Sequence, residues 1–191
     1  MRYFTRGWAA GDLSDGEGQA ARDAYEVRLA KISPRLPPAM LRLAREVSLH
    51  DGLLESVRWS SKKKLLKLDL VCGQLERGYS LVELTYGGAL LGEQRSNALK
   101  RAALSRETER LYDEVDISED GLLCHRILFW PNEEVTLDFS ELEMSSSPRP
   151  DRRVELLGAF CEEPVASEDQ GLGAARFARL PHPVPLPEGE G

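Results

Sequence analysis

The sequence has few of the residues from which metal and redox sites are built. It contains three cysteines and three histidines among 191 residues. Cys72, Cys124 and Cys161 are widely spaced and form no CxxC or CxxH group, so neither a disulfide framework nor a zinc site is expected. No apolar run approaches the roughly 18 residues that cross a bilayer, and the N-terminus lacks the apolar stretch of a signal peptide. We predict a cytoplasmic protein without a cofactor or a membrane partner.

Basic residues are scarce between residues 107 and 143. Residues 1–106 carry 18 Lys and Arg against 12 Asp and Glu, whereas residues 107–143 carry 2 against 12. The net charge of the whole chain is −7. Because binding to nucleic acid needs a clustered basic face, no nucleic-acid partner is expected. The one basic cluster, Lys62–Lys64 with Lys67, has the pattern of a soluble hairpin tip.

The acidic stretch from Leu111 to Ser140 predicts three β-strands joined by tight turns. Asp120-Gly121 and Pro131-Asn132 supply residues that favour turns. The flanking runs are rich in β-branched and aromatic residues, as half-buried strands are. The predicted strands are 112–117, 122–130 and 134–139.

Alternation along these strands predicts two faces, if 119–120 and 132–133 are the two loops. One face is mostly apolar and is the expected core. In this register Arg126 lies opposite Asp113, so the only two charges of the core face would neutralise each other. The apolar members of this face are Leu111, Val115, Ile117, Leu122, Cys124, Leu128, Trp130, Val135, Leu137 and Phe139.

The other face collects His125, Glu114, Asp116 and Asp138. In the same register His125 lies opposite Glu114, and a first loop at 120–121 would place it opposite Asp116 while keeping both faces. Three interpretations follow: a solvated outer face with cross-strand pairs, a docking surface for a basic partner, or a metal or acid–base site.

The rest of the chain predicts two N-terminal helices and three more strands. The helices cover 19–32 and 38–49 and are separated by Pro34, Pro37 and Pro38. The strands cover 53–60, 65–72 and 79–87, and 93–110 has helical propensity. The predicted fold class is α+β, with the two helices packed on one antiparallel sheet of about six strands. The predicted domains are a single α+β domain at 1–144, a linker or docking arm at 145–166 and a disordered Pro/Gly-rich tail at 167–191.

A second polar group lies at His50-Asp51-Gly52, between the second helix and the first strand. Asp-Gly is an ordinary turn sequence, and His50 could bond the last carbonyls of the helix. A metal or acid–base site would instead bring His50 and Asp51 together with Glu114 and His125.

Three stretches of the sequence form a combined pattern: Met1-Arg2-Tyr3-Phe4-Thr5, Leu49-His50-Asp51-Gly52, and Leu111-Tyr112-Asp113-Glu114 followed by His125-Arg126-Ile127-Leu128-Phe129. In combination they resemble a family of uncharacterised bacterial proteins that open with Met, then Lys or Arg, then Tyr-Phe-Thr. The resemblance implies that His50, Asp51, Glu114, His125 and Arg126 are positions of interest, but it implies no mechanism. The ending at 180–191 resembles a translated repetitive element of proteobacterial genomes.

Two functions of different class remain. One is a small binding protein, in an immunity-like role, that engages a basic partner through Glu114, Asp116, His125 and Asp138. The alternative is a metal-dependent hydrolase or small-ligand enzyme that uses His50, Asp51, Glu114 and His125. A homodimer formed through an exposed sheet edge is a third possibility.

Overall fold

The computed structural model describes residues 1–74, 76–105, 110–131, 133–151, 153 and 160–162. The α+β class is confirmed. Among these residues the helices are α1 (Arg6–Ala10), α2 (Asp15–Ile32), α3 (Pro38–Arg45) and α4 (Glu93–Leu104), with a 3-10 turn at Ser33–Arg35. The strands are β1 (Leu53–Ser60), β2 (Leu65–Gln74), β3 (Gly78–Gly87), β4 (Arg110–Ile117), β5 (Leu123–Trp130), β6 (Glu133–Phe139), β7 (Glu141–Arg149) and β8 (Phe160–Glu162). None of the described helices is both long and apolar enough to span a membrane.

Local sequence sets the helix boundaries. α2 begins four residues earlier than predicted because Ser14 and Glu17 form a capping box, in which each side chain accepts a hydrogen bond from the backbone of the other. Its buried face carries Tyr25, Leu29 and Ile32. α3 begins at Pro38. A proline in the first turn costs the helix no hydrogen bond, because the N–H groups of the first turn have no partner within the helix.

The strands form two sheets, so the predicted single sheet of about six strands is wrong. One sheet has the order β7-β3-β2-β1-β8, in which the first four strands are antiparallel and β8 pairs with β1 in parallel. The other has the order β4-β5-β6 and is antiparallel. Only Ser140 separates β6 from β7, so the chain passes from one sheet into the other at this bend.

β7 also changes the predicted boundary of the folded part. Residues 145–149, which the sequence assigns to a linker, pair with β3 from Ser145 opposite Glu83 to Arg149 opposite Tyr79. The Ser and Pro composition misled the prediction because this strand lies at the edge of its sheet, where Pro148 needs to donate no ladder hydrogen bond. The predicted tail at 167–191 lies outside the described residues.

The register of β4 and β5 differs from the prediction by one residue. The first loop holds three residues, 119–121, because the Ser118 N–H donates to the Leu122 carbonyl and Gly121 takes a positive φ of 80°. Glu114 therefore lies opposite Arg126, and Val115 lies opposite His125. A shift of one residue turns every side chain of a strand to the other face.

The assignment of β5 to its two faces is consequently reversed. His125, Ile127 and Phe129 lie on the core face, whereas Cys124 and Arg126 lie with Glu114 on the opposite face. The predicted pairing of Arg126 with Asp113 on the core face is wrong. Almost all of β5 is buried, so the opposite face is not a solvated surface either.

One hydrophobic core joins the two sheets. Tyr86 of β3 is fully buried and packs edge-on against Phe139 of β6, with ring centroids 4.9 Å apart. α4 contacts β6 and β1, and α2 contacts β4. The largest buried side chains, besides these two rings, are Phe129, Leu29, Ile32, Met40, Leu43, Leu49, Leu66, Leu68, Leu70 and Leu84.

The turn between α3 and β1 leaves no room for a side chain at Gly52. The Gly52 N–H donates to the Leu49 carbonyl at 2.9 Å, and Asp51 takes a φ of 60°. A Cβ on Gly52 would lie 2.8 Å from the Leu49 carbonyl oxygen and 3.0 Å from the Cys72 sulfur. Glycine is required at this position because the nearest neighbour is backbone.

We expect the Gly52→Ala substitution to lower the free energy of unfolding by about 2 kcal/mol, because the added methyl group overpacks this turn. Urea denaturation measures the change. Gly16→Ala in α2 is the matched control, since a Cβ there meets nothing within 4 Å, and it should be neutral or stabilising by up to about 1 kcal/mol. Equal stability of the two variants would contradict the steric account.

Candidate functional site

The predicted site residues divide between the two faces of the three-stranded sheet. Glu114, Asp116 and Asp138 lie on one face, and His125 lies on the other. Glu114 and His125 are fully buried and Asp116 is 1% exposed. The prediction that His125 shares a face with these three carboxylates is therefore wrong, and the expected exposed acidic surface is covered by other parts of the chain.

The Glu114 carboxylate binds the backbone of the N-terminal arm, which we define as residues 1–4. It accepts hydrogen bonds from the N–H groups of Arg2 at 2.9 Å, Tyr3 at 2.6 Å and Phe4 at 2.7 Å. Three converging N–H donors satisfy a buried carboxylate that would otherwise be costly. Glu114 therefore positions the arm and, with it, the ring of Phe4.

Asp116 is held by three arginines. Arg2 of the arm donates to its Oδ2 at 3.3 Å. Arg28 of α2 donates to its Oδ1 at 2.9 and 2.6 Å, and Arg126 of β5 donates to its Oδ2 through both terminal nitrogens at 3.1 Å. Burial alone would raise the pKa of Asp116, but the hydrogen bonds from Arg28, the Ile117 N–H and Arg126 outweigh burial and hold the pKa below its ordinary 3.8. Asp116 thus fastens α2 to the sheet.

Asp138, like Asp116, is bound by an arginine from a helix. Arg95 of α4 donates to its Oδ2 at 2.9 Å. The acidic residues of this face therefore receive donors from the arm, α2, β5 and α4. Their charge is used within the fold, which explains why a stretch so rich in acids is so deeply buried.

His125 forms a buried polar chain with Tyr86 and Asp113. Its Nδ1 lies 2.8 Å from the Tyr86 hydroxyl, and its Nε2 lies 3.2 Å from Asp113 Oδ2. Tyr86 belongs to β3 of one sheet, whereas His125 and Asp113 belong to β5 and β4 of the other. This series of hydrogen bonds therefore crosses the interface between the sheets. It ends at Asp113, whose side chain is 18% exposed.

Asp113 lies in the wall of a cleft of about 400 Å³. The cleft is formed between α2, α3 and the outer edge of β4, with the arm and α1 at one end. Most of its surface is apolar, and five aromatic rings contribute to it. We call it the aromatic cleft, and its lining residues are Phe4, Trp8, Arg22, Tyr25, Leu43, Ala44, Arg45, Glu46, Val47, Ser48, Leu49, His50, Leu111, Tyr112 and Asp113.

The rings of the cleft contact one another. Trp8 packs edge-on against Tyr112 with centroids 5.3 Å apart, and Phe4 packs edge-on against Tyr25 at 5.1 Å. The Tyr25 hydroxyl accepts a hydrogen bond from the Val115 N–H at 2.9 Å, so it caps a backbone donor at the open edge of β4. Burial raises the pKa of Tyr25 well above its usual range, so this phenol stays neutral. These contacts fix the walls of the cleft.

Arg22 is one of four charged side chains that line the cleft, and it is engaged at the rim. It donates two hydrogen bonds to the side-chain amide oxygen of Gln19, at 3.2 and 2.9 Å. Its guanidinium carbon also lies 5.9 Å from the centre of the Trp8 ring. One aromatic ring of the cleft, that of Trp8, is therefore already in contact with a cationic side chain of the protein.

Two more of the charged side chains have partners outside the cleft. Arg45 donates to the Ser33 hydroxyl at 3.4 Å, and Glu46 pairs with Arg42 at 3.6 Å. Asp113 differs from both because its partner, His125, is a buried side chain behind the wall. Asp113 is therefore the charged group of the cleft that the core of the protein positions.

Of the four residues of the alternative metal site, only His50 is among the residues that line the cleft. It packs edge-on against Tyr112 at 4.8 Å, and its Nδ1 lies 2.8 Å from the Asp51 carboxylate. Glu114 is bound to the arm, and His125 is buried behind Asp113 on the face of the sheet opposite Glu114. The four residues His50, Asp51, Glu114 and His125 do not converge, and the described part of the chain contains no group of three or more His, Cys, Asp or Glu side chains arranged to hold a metal ion.

Cys124 is not placed for thiol chemistry. Burial raises the pKa of its thiol to about 11, with smaller contributions from the carboxylates of Asp138 and Asp116. A thiol of this kind stays protonated near neutral pH and is a poor nucleophile.

Comparison of the chain with protein-family models, with curated proteins and with solved structures gives no match. The resemblance to the uncharacterised bacterial family therefore stays a prediction. The functional interpretation depends on the geometry of the cleft.

Three residues of this site carry no signal of their own in the sequence. Trp8, Tyr86 and Asp113 lie in different elements, and each has an ordinary structural role when considered singly. The sequence alone predicts that Asp113 pairs with Arg126 in the core. A three-residue first loop, ending in the αL residue Gly121, would have placed Asp113 and His125 on one face.

We expect Glu114→Gln to release the N-terminal arm, because the amide replaces one acceptor oxygen with a donor that faces the N–H groups of Arg2, Tyr3 and Phe4. The loss is about 2 kcal/mol of unfolding free energy. Amide hydrogen exchange of Tyr3 and Phe4, followed by NMR, should become faster than in the wild type. Glu143→Gln on the exposed edge strand is the control and should change neither quantity, and unchanged protection of Tyr3 and Phe4 in Glu114→Gln would contradict the role of Glu114.

Asp116 should make the stability of the protein depend on acid pH. Since its pKa is lowered by folding, its contribution is present above the ordinary pKa of 3.8 and is lost as the pH falls below that value. Asp116→Asn should cost about 3 kcal/mol at pH 7, because it leaves Arg2, Arg28 and Arg126 without their carboxylate.

Urea denaturation over a range of pH tests the direction of this pH dependence. Urea denaturation of Asp116→Asn and of the wild type should give curves of stability against pH that approach each other below about pH 4. Asp120→Asn, in the exposed turn, should follow the wild type throughout. Parallel curves for Asp116→Asn and the wild type would rule out the proposed ionisation.

Proposed function

We propose that the protein is a binding protein without catalytic activity, and that its site is the aromatic cleft rather than the acidic strand face. The group that it binds is a compact organic cation, an alkylammonium or a guanidinium. The observation that carries this proposal is the position of Asp113, a carboxylate held from behind by a buried histidine in a cleft walled by aromatic rings.

Charge complementarity supports a cation. The faces of aromatic rings attract cations, and the attraction is stronger where water is partly excluded. Asp113 adds a full negative charge at the same place, and its Oδ2 is occupied by His125. We assign its other oxygen, Oδ1, to the ligand. Within the protein itself, the Arg22 guanidinium already lies against the Trp8 ring of this cleft.

The size of the cleft limits the ligand. About 400 Å³ is at the lower end of the range for ligand pockets. It has room for a compact cationic head and for part of the chain that carries it. Such a head could belong to a small amine or to a lysine or arginine side chain of a basic protein partner. In the second case the protein keeps the immunity-like role considered from the sequence, with the cleft as its contact.

A small-ligand enzyme is the second candidate, because two groups capable of proton transfer, Asp113 and His50, both line the cleft. This version involves neither a metal nor Glu114. It differs from the binding proposal in one measurable respect, since a cationic ester or amide held in the cleft would be converted rather than only bound.

We expect choline to bind the wild type and its neutral isostere 3,3-dimethylbutan-1-ol to bind at least tenfold more weakly, because only choline carries the charge that Asp113 attracts. Two-dimensional NMR titration measures both affinities and should place the shifts at Trp8, Tyr112 and Asp113. Asp113→Asn should weaken choline binding by at least tenfold, which corresponds to about 1.4 kcal/mol. Asp120→Asn, which does not line the cleft, is the matched control and should bind as the wild type does.

Further arms of the titration separate the sources of the cation. Butylammonium and N-butylguanidinium represent free amines and guanidines, and a Lys- and Arg-rich peptide represents a basic protein. Tighter binding of the peptide would favour a protein partner. Equal binding of choline and its neutral isostere, or full binding by Asp113→Asn, would sink the cation proposal. Turnover of acetylcholine by the wild type but not by Asp113→Asn would favour the enzyme.

A further inference from the structure

The polar chain of Tyr86, His125 and Asp113 lies in an otherwise apolar interface. Tyr86 and His125 are both fully buried. Their rings are nearly parallel, with an interplanar angle of 28° and centroids 6.0 Å apart. Each ring nitrogen of His125 has one partner, the Tyr86 hydroxyl at 2.8 Å on one side and Asp113 Oδ2 at 3.2 Å on the other.

We infer that Tyr86 and His125 are positioning residues for the cleft, which fix His125 as the neutral tautomer with its proton on Nε2 and thereby hold the Asp113 carboxylate in one orientation toward the ligand. This inference deepens the proposed function and rests on it for its binding measurement. The tautomer itself can be observed without any ligand.

The donors and acceptors of the chain determine the tautomer. A carboxylate only accepts hydrogen bonds, so Nε2 must donate its proton to Asp113. In neutral imidazole the other nitrogen, Nδ1, then has a lone pair and accepts from the Tyr86 hydroxyl. Burial, together with the nearby charge of Asp113, raises the pKa of Tyr86 well above its usual range, so its phenol keeps the proton that it donates. Tyr86 thus donates to His125, and His125 donates to Asp113, so both hydrogen bonds point toward the cleft.

A ring flip of His125 is excluded by the same contacts. Turning the imidazole by half a turn would place carbon atoms opposite both Tyr86 and Asp113 and leave two buried hydrogen bonds unmade. The ring is also covered by the core side chains around it. Asp113 lies on the edge strand β4, where a carboxylate without such a partner would sample several rotamers. Fixing it in advance reduces the entropy that a ligand must remove on binding.

A purely structural role for the chain gives different expectations. If Tyr86 and His125 only satisfied each other within the core, their removal would lower stability and leave the affinity of the cleft for a cation unchanged. If they position Asp113, affinity falls in proportion to the loss of the Nε2 donor. Restoring a donor at that place restores affinity, even when stability stays low.

The first measurement is ligand-free. Nitrogen-15 NMR of the full chain labelled at histidine should show His125 with a protonated Nε2 and an unprotonated Nδ1 at neutral pH. Tyr86→Phe leaves the Asp113 acceptor in place and should keep the proton on Nε2, whereas Asp113→Asn offers Nε2 a side chain that can donate as well as accept and should allow the other tautomer to appear. A wild-type His125 protonated on Nδ1, or on both nitrogens, would overturn the inference whatever the ligand results.

The second measurement is choline titration of a matched pair. His125→Leu removes the donor to Asp113, and His125→Gln can return an N–H near the place of Nε2. We expect His125→Leu to bind choline at least fivefold more weakly than the wild type, and His125→Gln to recover affinity to within about twofold. Tyr86→Phe, which keeps the shape of the ring, should lose about threefold, and it decides the question if His125→Leu does not fold.

The outcomes separate the two proposals. A wild type that binds choline while Tyr86→Phe and the His125 variants bind it equally well overturns the positioning role and leaves the proposed function standing. A wild type that has the expected tautomer but binds none of the cations overturns the proposed function, and the positioning role with it. Loss in His125→Leu with recovery in His125→Gln supports both.

Discussion

The pairing of Glu114 with Arg126 across β4 and β5 is the constraint on which the rest of the structure depends. A three-residue loop sets this register, and the register decides which polar side chains enter the core and which face the helices. It places the carboxylates of Glu114 and Asp116 beside Arg126, and it turns His125 inward toward Tyr86. A loop one residue shorter or longer would reverse both placements.

Burial of several charged groups on one sheet face is compatible with stability because each receives specific donors. Glu114 takes three backbone N–H groups of the arm, and Asp116 takes Arg28 and Arg126. Removal of one partner from such a group is costly, since it leaves a buried charge uncompensated. The acids therefore act as internal fasteners, and they assemble the walls of the aromatic cleft by holding the arm and α2 against the sheet.

The cleft and the core are connected through one polar chain. Asp113 is the point at which that chain reaches the surface, and its orientation depends on a histidine that no solvent touches. A carboxylate supported in this way resembles the binding groups of preorganised sites, in which a second layer of side chains fixes the first. The hydrogen bond from buried His125 favours a role of Asp113 in recognition. A solvated acid without a role, at the edge of a sheet, would need no such partner.

The sequence by itself determined the α+β class, α2 and α3 to within a few residues, the three strands β1 to β3, and the fact that β4 to β6 form a meander. Prolines, turn residues and alternating apolar residues act over a few neighbouring positions, so they can be interpreted without the fold. The division into two sheets, the inclusion of 145–149 in β7 and the faces of β5 were decided only by tertiary structure. The site belongs to the second group, because the contacts of Trp8 with Tyr112 and of Tyr86 and Asp113 with His125 depend on register and sheet packing. These contacts join residues far apart in the chain, and no local pattern encodes them.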